Sequence, residues 1–216
     1  MMKTLLIGLL SLTALGACQN QTRTAGATSA TSDSVISITH PDSSTFTVPA
    51  DKLIVAGKQI GNISLGLPAD SLQPMLGRPD RSDAAMGKAW LSWYGNRRDE
   101  HNNRISLDIY TSYADSTMEK RTVQQVRTTS TEYATARGIK VYNDLATIQQ
   151  QYPHMEYAGR YKELNNGRVF SLYDDRASGI AFEIVEANDQ RICIGILVHY
   201  PGKKVMEISP LLTDKK

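Results

Sequence analysis

The chain has 216 residues, 41% of them hydrophobic and 21% charged, and its 24 basic and 22 acidic residues leave a formal net charge of +2. That is an ordinary globular composition, long enough for one large domain or two small ones. The charges are spread along the chain with no block of one sign and no basic stripe interleaved with aromatics, so nucleic acid is not an indicated partner.

Lys3 precedes the apolar run Leu5 to Leu15, "LLIGLLSLTAL", too short to span the about 30 Å hydrocarbon core of a bilayer as a helix. With the small residues after it, this reads as a signal peptide over residues 1–17. The run closes on Leu15-Gly16-Ala17-Cys18, which resembles a bacterial lipobox. The resemblance implies cleavage before Cys18, a diacylglycerol on its thiol and an acylated new amine, so that the chain meets a membrane through an N-terminal lipid. The alternative is a soluble secreted protein whose cleavage site abuts a cysteine. Gln19 to Ser34, "QNQTRTAGATSATSDS", holds no large apolar residue, and 18–34 is expected to be a lipidated cysteine followed by a disordered tether. Such a tether has an r.m.s. reach of about 20 to 24 Å. In diderm bacteria resembling the enterobacterial case, an aspartate after the lipidated cysteine retains a lipoprotein at the inner membrane. Gln19 stands there instead, which favours the outer membrane, on its periplasmic face.

The fold is expected to begin near Val35. "VISIT" (35–39) and "TFTVP" (45–49) alternate around the turn-forming "HPDSS", as a β-hairpin does, and "KLIVAGKQIG" adds a short strand, giving an N-terminal segment 35–60. Beyond it, "NISLGLPADSLQPMLGRP" (62–79) and "GIKVYNDLATIQQQYP" (138–153) each read as a strand end, a short helix and a breaker. Laid without gaps, Ile63 meets Ile139, Leu65 meets Val141, Leu72 meets Ile148 and Gln73 meets Gln149. "WLSWYG" and "RISLDIY" follow in the first copy, "VFSLYD" and "SGIAFEIV" in the second, and "VQQVRTTS" and "RICIGILVH" close the two. The expectation is a tandem duplication, 61–136 and 137–204, each unit one helical element and three antiparallel strands, then a tail 205–216.

The pattern I-x-x-G-x-x-x-x-x-L-x-x-x-L-G-x-P at Ile63 to Pro79, with a degraded copy from Ile139 in which Tyr142 replaces the glycine, resembles the repeats of the BamE-like (SmpA/OmlA) outer-membrane lipoproteins and of the β-lactamase inhibitor protein. The resemblance covers about Gly61 to Gly202. It implies an α+β fold in which two helix-plus-antiparallel-sheet repeats form a helix layer on one face of a continuous sheet, the other face being free for a protein partner.

Strand parity predicts what the free face carries. Ile192, Ile194, Ile196 and Val198 form one aliphatic row, which should meet the helices, and Cys193, Gly195, Leu197 and His199 point the other way. By the same rule Ser106, Asp108 and Tyr110 face outward, as do Ala181 and Glu183. Tyr94, Tyr110, Tyr173 and His199 combine contact area with a polar handle and are the candidate partner-binding residues. An ordinary solvated face with scattered tyrosines fits the same pattern.

No G-x-S-x-G, H-E-x-x-H, P-loop or G-x-G-x-x-G occurs, and the four histidines are not in metal-ligand spacing. Cys193 and His199 share a strand face on parity, yet no activator of the thiol is visible. Asp174-Asp175 reads as a turn. The expected protein is a non-enzymatic, lipid-anchored binding or scaffold module for an envelope protein, with no cofactor and no metal. An inhibitor of a periplasmic enzyme and an envelope hydrolase without a recognisable motif are the alternatives.

Overall fold

The computed structural model describes residues 35–39, 45–98, 104–114, 117–163, 169–187, 189–205 and 213–214. The signal peptide, Cys18 and the tether lie outside the described residues. β1 (Val35–Thr39) and β2 (Thr45–Pro49) pair antiparallel. Three short strands follow, β3 (Leu53–Val55), β4 (Gln59–Ile60) and β5 (Ile63–Ser64), then α1 (Leu72–Leu76). Next comes the meander β6 (Arg81–Ala85), β7 (Lys88–Arg98), β8 (Arg104–Tyr113) and β9 (Arg121–Thr128). After β10 (Ala134–Thr135) and α2 (Leu145–Gln151), a second meander runs through β11 (Glu156–Glu163), β12 (Val169–Asp175), β13 (Ile180–Ala187) and β14 (Gln190–His199), and β15 (Thr213–Asp214) follows.

The last strands of the two meanders pair with each other through four residue pairs, Ile196 with Thr128 to His199 with Gln125. The result is one nine-stranded sheet in the order β15-β11-β12-β13-β14-β9-β8-β7-β6. Long runs of Val, Ile, Thr and Tyr such as "RISLDIYTSY" favour a pleated, half-buried surface, which is why strands dominate.

This corrects the expected fold class. The chain is mostly β, and the helices are only five and seven residues long, too short to make a layer. What packs on the sheet is composite. Ile54, Ile60 and Ile63 of a four-stranded sheet (order β10-β3-β4-β5) join Leu72 of α1 and Leu145 and Ile148 of α2. Together they bury Ile109, Val123, Val126, Phe182, Ile184 and Ile196 of the large sheet. α1 stays short because Pro74 and Gly77 flank its last turn, the latter at φ 77°. What does recur is the docking of a loop on a final strand, the loop residues at the 76-residue offset and the strand residues at one of 70. Gly66 N and Val123 N donate to Val123 O and Leu67 O, and Tyr142 N and Cys193 N donate to Cys193 O and Asn143 O. Gly66 has φ 80° and Tyr142, at the equivalent position, φ 75°.

Strand parity fails in β14, where the register shifts: Glu183 faces Gly195, but Ile184 faces Cys193. The extra residue, Ile194, is a β-bulge, and it reverses the faces of everything before it. Cys193 therefore joins Ile196 and Val198 in the main core, and Ile194 packs instead against a second cluster of Phe170, Leu172, Ala181, Val185 and Leu197.

Candidate functional site

The face opposite the main core carries a buried charge cluster. Asp108 on β8 lies directly opposite Arg127 on β9, and Glu183 on β13 reaches it across β14. Arg127 Nε and Nη2 donate to Glu183 Oε1 and Oε2 at 2.8 and 2.7 Å, a two-pronged fork. Its Nη1 donates to Asp108 Oδ2 at 2.6 Å and to Ser106 Oγ at 3.1 Å. Ser106 Oγ also donates to Asp108 Oδ2 at 2.8 Å. Burial by itself would lower the pKa of Arg127, but the Glu183 and Asp108 carboxylates outweigh it and hold the guanidinium above its usual value. Gly195 makes the crossing possible, because a methyl there would sit 2.5 Å from Glu183 Oε2. Asp108 and Glu183 were on the predicted outward face. Arg127 was the missed member, and a basic residue between two acids at matching strand parity was the available signal.

Further along this face, His199 Nε2 is 2.9 Å from Asp174 Oδ1 and Nδ1 is 3.1 Å from Tyr200 O. Both ring nitrogens lie within hydrogen-bond distance of an oxygen, and the ring is buried. Asp175, not Asp174, shapes the turn, accepting from Ser178 N and Ser178 Oγ at 3.1 and 2.9 Å. Cys193 lies on the opposite face from His199, which removes the dyad that parity allowed, and burial pushes its thiol up to about 12. Among the described residues no group of three or more His, Cys, Asp or Glu side chains is placed to hold a metal.

The four candidate partner-binding residues are not brought together. Tyr110 is 5% exposed and stacks on Trp90 at 5.2 Å, and His199 is 2% exposed, so neither presents a surface as expected. Burial raises the pKa of the Tyr110 hydroxyl, with Ser112 opposing. Tyr173 pairs with Phe182 and packs on the main core, on the helix side of the sheet, with Tyr157 edge-on at 5.9 Å. Tyr94 lines an opening.

That opening is a groove of about 390 Å³ between the far end of β7 and β8 and the loop after β9. Trp93, Tyr94, Ile105, Leu107 and Tyr133 line it, with Arg97 and Glu132 also in its wall. The aromatics are held from behind. Trp93 Nε1 donates to Gly77 O at 3.1 Å, the Arg104 guanidinium stacks 3.7 Å over the Tyr94 ring, and Lys52 Nζ stands 5.1 Å over the Tyr133 ring. Lys52 also binds Glu132 at 2.7 Å, which raises the ammonium's pKa and lowers the carboxylate's. Trp93 and Tyr133 were not singled out from sequence, because Tyr133 belongs to a loop without periodicity.

No family model and no curated protein matches the chain. Among solved structures it is similar to the uncharacterized protein yfeY from Escherichia coli, at 8% identity and a TM-score of 0.34, over 67% of this chain and 98% of that one. A likeness at that score defines neither fold nor function here.

Proposed function

We propose that the protein is a non-catalytic binding module, anchored by lipid at Cys18 to the periplasmic face of the outer membrane, that holds a segment of another envelope protein in the β7–β8 groove. The groove carries the reading: its aromatic walls are braced by hydrogen bonds and stacked cations, so an apolar side chain entering it meets a preformed pocket. The burial of both His199 and Cys193, on opposite faces of the sheet, favours binding over catalysis. The lipobox-like "LGAC" and the polar tether supply the anchor.

The test is photo-crosslinking in the native envelope from a reactive residue at Asn96, which lines the groove. A discrete membrane-protein adduct is expected, weakened about tenfold or more by Tyr133→Ala. A soluble enzyme as the adduct would replace the scaffold reading by enzyme inhibition. No discrete adduct, or one indifferent to Tyr133→Ala, would overturn the groove.

A further inference from the structure

The strand register gathers several connections at the end of the large sheet away from the groove. The β6–β7 turn and the β8–β9 connection adjoin there, since Ala85 pairs with Lys88 and Tyr113 with Arg121. The β3–β4 turn is tied to the β12–β13 turn by Gly57 N donating to Gly179 O at 3.0 Å, and the turn after β14 by Gly202 N donating to Arg176 O at 2.8 Å. Two exposed methionines stand at this end among the described residues, Met86 on the first turn and Met118 on the second connection, 97% and 64% exposed. Both hold left-handed backbone, φ 51° and 52°. That region penalises residues other than Gly, Asn and Asp, and neither methionine buries its thioether to offset it. Asn or Gly is the easier residue in that backbone region, and the exposed methionine side chains raise the question of what they meet outside the chain.

Among the described residues the exposed charge at this end is mostly basic. Lys58, Lys88, Lys120, Arg121, Lys203 and Lys204 are exposed at this end, against the exposed acids Asp70, Glu119 and Glu156. Asp115, in the β8–β9 connection, lies outside the described residues. Flexible apolar tips with cations on the neighbouring connections match the boundary between acyl chains and anionic headgroups.

We propose that this end of the sheet docks on an anionic phospholipid surface, Met86 and Met118 entering the interface and the surrounding lysines meeting the headgroups. A lipid at Cys18 on a polar tether brings a membrane near without fixing orientation. Docking at this end turns the groove, at the opposite end of the same strands, away from the bilayer. The proposal rests on the anchor reading only for the membrane's proximity.

The test separates the two. The chain from residue 18 with Cys18→Ser carries neither signal nor lipid and keeps every described element, all of which lie after residue 34. It is sedimented with vesicles of phosphatidylcholine alone and of phosphatidylcholine mixed with phosphatidylglycerol. Binding to the mixture, weakened by added salt, is expected. The double variant Met86→Asn/Met118→Asn is expected to lose about tenfold or more in partitioning while melting no lower than its parent, since Asn accepts the left-handed turn. Lys203→Glu/Lys204→Glu is expected to reduce binding to the anionic vesicles. Failure of the parent to bind either vesicle, or undiminished binding by the methionine variant, overturns the proposal whatever the state of Cys18. So does a methionine variant that keeps the vesicles but loses an envelope-protein adduct, because the tips would then be protein contacts.

Discussion

Arg127→Met removes the one cation from a cluster that cannot be rehydrated in place. The side chain makes four hydrogen bonds, two to Glu183 and one each to Asp108 and Ser106. Glu183 is 0% exposed, so its carboxylate is left without water and without its fork. Breaking a buried pair from one side costs about 3 to 5 kcal/mol. With a urea dependence of about 2 kcal/mol per molar, the unfolding midpoint should fall by about 1.5 to 2.5 M. The fork also crosses the β9–β14 seam, which is only four residue pairs long, so the transition should broaden as the two meanders uncouple. Arg127→Lys, which keeps the charge without the planar fork, should fall between. The triple variant Asp108→Leu/Arg127→Met/Glu183→Leu, with no charge left to pair, should recover most of the loss. Urea unfolding followed by circular dichroism reads all three. A single variant within about 1 kcal/mol of the parent, or a triple variant as damaged as the single, would refute the buried pairing.

Gly195→Ala should cost about 1 to 3 kcal/mol, because its methyl would stand 2.5 Å from Glu183 Oε2 and 3.4 Å from Arg127 Nε; its effect should be non-additive with Arg127→Met in a double-mutant cycle, and simple additivity would show that the methyl is accommodated elsewhere. Asp144 caps α2, Oδ2 accepting from Thr147 Oγ1 at 2.6 Å and Oδ1 from Thr147 N at 2.8 Å, and these bonds hold its carboxyl below the usual range. Asp144→Ala should therefore cost about 1 kcal/mol at neutral pH. Because the folded pKa is the depressed one, that stabilisation is present above the unfolded value of about 3.9 and is lost as pH falls through the folded value, so parent and variant should converge in acid; a gap that persists in acid counts against the cap. Cys193, buried and with its thiol pushed up to about 12, should be alkylated in the Cys18→Ser chain only as fast as the protein unfolds, and rapid labelling in native buffer would contradict its place in the core.

Strands were the legible part of the fold. Alternation in Arg104–Tyr113 and Ile180–Ala187 places Ile109 and Phe182 inward and Asp108 and Glu183 on the other face, as found. α2 was legible as the short helix before the Pro153 breaker in "GIKVYNDLATIQQQYP"; Asp144 caps it, and Leu145 and Ile148 are its buried residues. The bulge at Ile194 was not, because a residue inserted between Cys193 and Gly195 leaves no mark in an apolar run; it inverted the expected roles of Cys193 and Ile194. The helix layer failed for a related reason. Apolar residues at 63, 65 and 72 and their partners 76 positions on fit the cap of a sheet equally well as helices or as short strands, and β3, β4 and β5 are the strands. For the candidate site, residue type identified Tyr94 but not its neighbours, since Trp93 and Tyr133 meet only through the crossing of a loop. Exposure of Tyr110 and His199 was misjudged because facing away from the main core does not mean facing water: Trp90 and Asp174 cover them.

The most direct measurement is the mass of the N-terminal peptide of the protein recovered from the envelope, paired with fractionation of the Cys18→Ser chain. The expected peptide begins at Cys18 and carries a diacylglycerol and an amide-linked acyl chain, and the serine variant is expected to leave the membrane fraction after a high-salt wash that also strips electrostatic docking. An unmodified cysteine, an uncleaved leader, or a serine variant that still pellets after that wash would contradict a lipid-anchored module.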